Sequence, residues 1–362
     1  MKGRELKAEK IERVVVRGTN WVGDAVMTIP ALRELRRVLP RAHITLVTRS
    51  WADGIFGDAD FVDDLLICDR GAHSFGALWR QTREWGKRSF NLAVLFQNAF
   101  EAALIPTLAR VPARFGYATD NRRLLLTHSL ELPAWRDARH EVFYYMNIVR
   151  ELEEQLYGAS GILESAPVFA LGVSEARKHE ASEILRARGA HADRSFVALC
   201  PGSTNSRAKR WPVNYYATLA DHLMERAGID VVLVGAPDEA SVSQDVAARM
   251  HRQPVILTGH TSLAQLVAVL SLADLLVTND TGPAHIAAAL ERPTLVIFGP
   301  TDPTTTRPYS EAAEIVRRPP ACAPCMLRDC PIDHRCMTVI TPEEVFKRAA
   351  ALLHKTRAEV WA

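Results

Sequence analysis

Val14-Val15-Val16-Arg17 runs directly into Gly18-Thr19-Asn20-Trp21-Val22-Gly23-Asp24, and a helical pattern begins at about Ala25. A short β-branched run, a polar turn with two glycines and then a helix is how a βαβ unit opens. The junction has a counterpart. Leu275–Thr278 leads into Asn279-Asp280-Thr281-Gly282-Pro283-Ala284-His285, and a helix follows. The two lie about 260 residues apart, too far for one mononucleotide-binding unit. Each puts an aspartate and a glycine where a helix starts, the end whose unpaired N–H groups favour anions. One junction can supply a base while the other grips a phosphorylated ligand.

The pattern around each junction repeats it. Val14–Arg17, His43–Thr48, Leu65–Cys68 and Leu92–Gln97 read as strands in the first half. Ala25–Leu39 reads as a helix with a kink at Pro30, and Arg139–Leu156 as a helix rich in aromatics on one side. The second half starts afresh with Phe196–Cys200, Val231–Val234, Val255–Leu257, Leu275–Thr278 and Leu295–Phe298 as buried-type strands. Val213–Arg226, Glu239–Met250, Leu263–Leu270 and Pro283–Leu290 fall between them as helices. Strands alternating with helices imply parallel sheets covered on both faces. The expectation is an α/β chain of two doubly wound domains, 1–170 and 175–341, joined by a stretch around Gly158–Ser174. The last helix, within 342–362, is amphipathic and is expected to pack back toward the N-terminal domain. Ligands of such sheets bind beyond the carboxyl ends of strands, so a cleft between domains is the expected site.

A chain of 362 residues that is 48% hydrophobic can build two cores, and no apolar run approaches the roughly 18 residues of a spanning helix. Met1–Arg13 is charged and is not followed by a cleavable apolar core, so the expected compartment is the cytosol. A net charge of +2 gives no bulk argument for nucleic-acid binding, and none is expected. The cations are unevenly spread. Arg33, Arg36, Arg37 and Arg41 cluster at the end of the first helix, and Arg110, Arg114, Arg122 and Arg123 follow. They read either as a solvated face with helix C-terminal charges or as a surface for an anionic acceptor or lipid head. The glycine loops are not a dinucleotide fingerprint: four residues separate Gly18 from Gly23, and Asp24 stands where a Walker lysine would.

Four of six cysteines crowd near the end, Cys322, Cys325, Cys330 and Cys336, with His334 among them. Clustered thiols in a cytosolic chain favour a metal over disulfides, and an S4 site suits zinc or iron. Free or redox-sensitive thiols are the other reading. A metal there would staple the loop 320–337 and perform no chemistry. Cys68 and Cys200 sit in predicted strands and read as small core residues.

Gly18–Met27, Pro201-Gly202-Ser203-Thr204 with Lys209-Arg210-Trp211-Pro212, Asn279–His285, and Phe298-Gly299-Pro300-Thr301-Asp302-Pro303 resemble, in order, the motifs of the ADP-heptose:lipopolysaccharide heptosyltransferases of glycosyltransferase family 9, especially their heptosyltransferase II branch. The similarity runs from about Arg13 to Phe346. It implies a GT-B fold, two Rossmann-like domains facing across a cleft, and an inverting transfer of L-glycero-D-manno-heptose from ADP-heptose to the lipopolysaccharide inner core. The implied partners are ADP-heptose, a lipid A–Kdo–heptose acceptor and the cytoplasmic face of the inner membrane, contacted peripherally. No cofactor is implied for transfer. By motif, Asp24 would be the general base, Lys209 would meet the donor diphosphate, Asp280, Thr281, Gly282 and His285 would hold donor phosphate and sugar, and Glu239 would lie near the ribose.

The residue types suit those tasks. Inverting displacement needs one carboxylate to take the proton of the incoming hydroxyl. Asp24 can do this, or it can be an N-cap worth about 1 kcal/mol. A departing diphosphate without a metal needs protein donors, for which Ser203, Thr204 and Lys209 stand before the helix that Pro212 opens. Asp280 beside a diphosphate would be repelled, so sugar hydroxyls are its better partners, while His285 can aim a ring N–H at phosphate. Arg122 and Arg123, with the Arg33–Arg41 cluster, are candidates for an anionic acceptor. Other readings are the same architecture with a protein or other glycan acceptor, a non-catalytic nucleotide-sugar or metal-binding module, and a sugar-nucleotide epimerase. The intact Asp24 and Lys209 count against the module, and an epimerase needs further acid/base carboxylates.

Overall fold

A computed structural model describes residues 6–69, 75–190 and 195–360. The chain divides into two compact units, Met1–Phe169 and Ala170–Ala362. In the first, β1 (Arg13–Arg17), β2 (His43–Thr48), β3 (Asp64–Ile67), β4 (Leu92–Leu95), β5 (Ala113–Tyr117) and β6 (His128–Leu130) form one sheet in the order β3-β2-β1-β4-β5-β6. In the second, β7 (Phe196–Cys200), β8 (Asp230–Leu233), β9 (Val255–Ile256), β10 (Leu275–Asn279), β11 (Thr294–Phe298) and β12 (Ala313–Arg317) are ordered β12-β11-β10-β7-β8-β9. Every pairing is parallel. These are the two doubly wound α/β units that the sequence implies.

The central strands explain the sheets. Val14, Val15 and Val16 are fully buried, as is every residue of β10. A strand covered on both faces reads as an unbroken apolar run, which β1, β7, β10 and β11 do. In each sheet the order reverses between the first and fourth strands, β1 beside β4 and β7 beside β10. A crevice forms at such a switch point, outside the carboxyl ends of the strands. The two glycine junctions leave β1 and β10 at those ends.

Three strands are absent from the sequence reading, each for a local reason. Arg114 and Gly116 interrupt β5, β6 has three residues, and β12 is an edge strand with Val316 its one buried residue. The sequence pattern also leaves the helices Phe75–Arg88, Phe100–Leu108 and Glu175–Ala187 unmarked. Pro106 lies inside the second, and the third buries only Ala181 and Leu185. The expected Ala25–Leu39 helix is two helices, Val22–Met27 and Ile29–Val38, meeting at Thr28, whose hydroxyl donates to Ala25 O at 2.7 Å. Pro30 falls in the first turn of the second, where its missing N–H costs nothing.

The final helix, Pro342–Val360, packs on the core of the second unit. Its apolar residues Val345, Phe346, Ala349 and Leu353 join Trp211, Tyr216 and Leu223 in the core of the second unit, and it packs against the Val213–Arg226 helix. Arg226 reinforces this, paired with Glu343 at 2.7 Å and stacked 4.1 Å over the Phe346 ring. The described packing is therefore within the unit that precedes the helix in sequence.

Candidate active site

At the first switch point, Gly18 N donates to Val47 O at 2.9 Å, and a Cβ on Gly18 would stand 3.1 Å from that oxygen. Arg17 Nε donates to Gln97 Oε1 at 3.0 Å and ties the end of β1 to the end of β4. The chain then enters the Val22–Met27 helix with Trp21 as N-cap, so Asp24 sits inside the first turn and is not the capping residue. Asp24 is half-buried and opens into a polar hollow. Thr19 from the same junction, Asn98 after β4, and Glu141, Tyr144 and Tyr145 from the Glu141–Tyr157 helix share it.

Glu141 is a second carboxyl in this hollow. Arg136 Nη1 pairs with its Oε2 at 2.7 Å, and the same guanidinium lies 4.3 Å over the Tyr144 ring. Burial raises the Glu141 carboxyl above the ordinary glutamate range; Arg136 pulls it down and the charge on Asp24 pushes it up. Burial, then Asp24 and Glu141, keeps the Tyr145 phenol protonated well above its usual range. Asn98 Nδ2 donates to the Tyr144 hydroxyl at 2.8 Å.

Beneath the hollow lies Arg122, with 0% of its surface exposed. Its Nε donates to Tyr117 O at 2.8 Å, Nη1 to Gln97 O, and Nη2 to Asn98 Oδ1 at 3.1 Å. Burial lowers its guanidinium to about 10. This corrects the expectation of an acceptor contact: Arg122 holds the β4 and β5 loop ends together from inside. Arg123, the next residue, is exposed and paired with Glu131.

The second switch point is organised by Asn279, the fully buried last residue of β10. Its Oδ1 accepts from Trp211 N at 3.0 Å and the Tyr216 hydroxyl at 3.1 Å, and its Nδ2 donates to Pro201 O and Gly202 O at 2.9 and 3.0 Å. The loop after β7 is thereby clamped to the end of β10. Next to it, Asp280 Oδ2 accepts from Lys209 Nζ at 2.7 Å and Thr301 Oγ1 at 2.7 Å. Lys209 Nζ also reaches Asp280 O at 3.3 Å. The lysine is a quarter exposed and the aspartate nearly closed off, so the pair presents the ammonium outward.

Glu239 lies across the loops after β7 and β8. Its Oε2 accepts from Ala236 N at 2.9 Å and its Oε1 from Thr204 Oγ1 at 3.3 Å. A Cβ on Gly202 would fall 2.2 Å from the Glu239 carboxyl carbon, so this carboxylate occupies the space that glycine leaves. Burial raises its pKa, opposed by the Ala236 amide, Thr204 and Arg210. Arg210 also holds the buried Ser203 by its carbonyl, at 3.0 Å from Nη2. Thr281 is the N-cap of the Gly282–Ala289 helix, and His285 is buried one turn in. The structure thus gathers Ser203, Thr204, Lys209, Glu239, Asp280, Thr281, Gly282 and His285 onto the loops at one end of one sheet.

The four clustered cysteines are neighbours in the segment 320–337. Burial lifts the Cys336 thiol to about 11, and Cys330, Cys325 and Cys322 add to this. Among the described residues, no three of the four sulfurs come within 4.8 Å of one another. The group that does is Asp221, Glu225 and His251, where Asp221 already accepts from His251 N at 2.9 Å. The segment 320–337 braces the Lys209 loop: Ala208 N donates to Arg328 O at 2.9 Å, and His334 Nε2 lies 2.6 Å from Ala208 O. Met326 N donates to Pro300 O at 2.9 Å beside Thr301.

Nothing in the sequence pattern assigns a role to Glu141, Arg136, Asn98 or Thr301. Thr301 and Asn279 stood inside quoted motifs without a role. A glutamate at the start of an aromatic-rich helix was the one signal for Glu141.

The sequence profile of Glycosyltransferase family 9 (heptosyltransferase) matches residues 78–335. The chain is 29% identical over 319 residues to the lipopolysaccharide heptosyltransferase 2 of Salmonella typhimurium, a match spanning 84% of this chain and 88% of that protein. It is 28% identical over 361 residues to the lipopolysaccharide heptosyltransferase 2 of Escherichia coli, spanning 96% and 100%. The solved structure of E. coli ADP-heptose lps heptosyltransferase II matches with a TM-score of 0.80 and 26% identity, over 95% of this chain and 99% of that one.

Proposed function

The chain belongs to glycosyltransferase family 9, the heptosyltransferases, and from that premise we propose that it moves L-glycero-D-manno-heptose from ADP-heptose to the lipopolysaccharide inner core, with inversion at the anomeric carbon. The observation that carries this reading is Asp24, a half-buried carboxyl in the first turn of its helix that lines a polar hollow at the first switch point. The acceptor hydroxyl loses its proton to Asp24 as its oxygen bonds to the anomeric carbon, and the bond from that carbon to the ADP oxygen breaks.

The second unit binds the donor. Lys209, held by Asp280, meets the developing diphosphate charge together with Ser203, Thr204, His285 and the amides that open the Gly282–Ala289 helix. Asp280 spends Oδ2 on Lys209 and Thr301, so Oδ1 is the oxygen for a sugar hydroxyl. Glu239 takes the ribose. Of the two arginines assigned to the acceptor, Arg123 is the exposed one. The acceptor is a lipid A–Kdo–heptose core, met peripherally at the cytoplasmic face of the inner membrane. Among the described residues no helix is long and apolar enough to cross a membrane.

A zinc or iron ion at Cys322, Cys325, Cys330 and Cys336 would be structural and would have to draw the sulfurs closer than they stand. Metal analysis of protein purified without chelator tests it: a ratio near one per chain supports the site and a ratio near zero rejects it. The transfer is tested by incubating the protein with ADP-heptose and defined core acceptors. A product heavier by one heptose, with the anomeric configuration inverted, is expected; release of free heptose alone, or transfer only to non-core acceptors, would reject the assignment.

A further inference from the structure

We propose that the outer face of the Phe75–Arg88 helix is a docking surface for an anionic lipid bilayer. The inference rests on the reading above, in that a membrane-borne acceptor gives such a surface its use. Its grounds are separate from the donor site and the Asp24 hollow.

Two tryptophans six residues apart on this helix have opposite fates. Trp85 is 1% exposed and packs with Phe90, Ala103, Ile105 and Leu78 against one face of the first sheet. Trp79 is 68% exposed. Arg80, Arg83 and Lys87 are exposed on the same stripe as Trp79, at the spacing of one helical face. None of the three cations takes an ion pair or side-chain hydrogen bond among the described residues. The one acid on the helix, Glu84, is taken by Arg88 at 3.0 Å, and Arg88 also engages Asp64. The stripe therefore carries three uncompensated positive charges around a bare indole.

Neighbouring elements in the same layer continue the chemistry. The Phe75–Arg88 helix packs on Phe100–Leu108, and that helix packs on the turn Arg123–Leu125. Leu124 of this turn is 95% exposed and Leu108 is 49% exposed, with Arg110 and Arg123 exposed beside them. Leu125 and Leu126 face inward to the core that holds Trp85. Large apolar tips interleaved with cations on an outer layer suit the headgroup boundary of a bilayer, where an indole and leucines enter and arginine and lysine meet lipid phosphate. A lipid-free polyanion would use the cations and leave Trp79 and Leu124 in water.

The test is flotation of the full chain with vesicles of phosphatidylglycerol and phosphatidylethanolamine, against phosphatidylcholine vesicles, at low and high salt. Wild type is expected to float with the anionic vesicles and release as salt rises. Arg80→Glu with Arg83→Glu and Lys87→Glu should lower partitioning by on the order of tenfold or more. Trp79→Ala should lower it several-fold. Both variants should keep the wild-type melting temperature and the wild-type rate on a water-soluble, delipidated core oligosaccharide. Equal flotation of variants and wild type, equal binding to phosphatidylcholine, or no binding by wild type would overturn the proposal. So would displacement by soluble polyphosphate with Trp79→Ala unaffected, which would mark a polyanion site. Vesicle binding with the expected losses but no transfer to any core acceptor would uphold the surface and reject the assigned reaction.

Discussion

Replacing Glu141 by glutamine removes the second carboxylate from the Asp24 hollow while keeping its shape. The charge on Asp24 pushes the Glu141 carboxyl up, and the interaction is mutual, so the Glu141 carboxylate also makes Asp24 harder to ionise. Neutral glutamine lets Asp24 ionise at lower pH. The acid limb of the kcat/KM profile should therefore move to lower pH, with a lower plateau because the base is weaker. An unmoved limb would show that Glu141 acts through structure alone. Arg122 makes the opposite kind of prediction. Its removal leaves the carbonyls of Tyr117 and Gln97 and the Asn98 amide without their donor, so Arg122→Ala should cost about 3 kcal/mol in urea unfolding. Arg123→Ala, at the surface, should stay within about 0.5 kcal/mol. Two adjacent arginines looked alike in sequence because chain position says nothing of which guanidinium turns inward. Asp24, Lys209 and Asp280, in or just before the first turns of helices, stand out in the sequence because helix-start chemistry marks them. Glu141 and Thr301 were not, because their roles come from elements distant in sequence.

At the scale of elements, the Cys-rich segment braces the Lys209 loop through hydrogen bonds to and from its backbone and Ser206. Ala208 is held by Arg328 and His334, one residue before Lys209, and Ser206 donates to Leu327 O and Arg328 O. His334→Ala, or alkylation of the exposed Cys322, should raise KM for the sugar nucleotide several-fold while moving kcat and the acceptor KM much less. Steady-state kinetics with each substrate varied in turn checks this; an effect on acceptor KM alone would contradict the brace. The pattern of strands was legible where burial on both faces forces an apolar run, as in β1, β2, β7, β10 and β11. It failed at β5, β6 and β12, where a polar residue, a short span or an edge position removes the run. The final helix showed its amphipathic face in sequence, but which core received that face depended on Trp211 and Tyr216, some 130 residues earlier.

Over the whole molecule, the same strand order appears twice, and each repeat carries different chemistry at its reversal point. The first places a carboxyl at the end of β1, and the second places a lysine–aspartate pair, hydroxyls and a helix start at the ends of β7 and β10. On the proposed reading, acceptor activation belongs to the first and donor binding to the second, so the two are separable by mutation. The most direct measurement is therefore Asp24→Asn, with ADP-heptose affinity measured by calorimetry and turnover measured on a heptose-bearing core acceptor. The account predicts an unchanged donor Kd and a fall in kcat of roughly two orders of magnitude or more. Turnover within a few-fold of wild type, or a loss of donor binding that accounts for the whole defect, would contradict it.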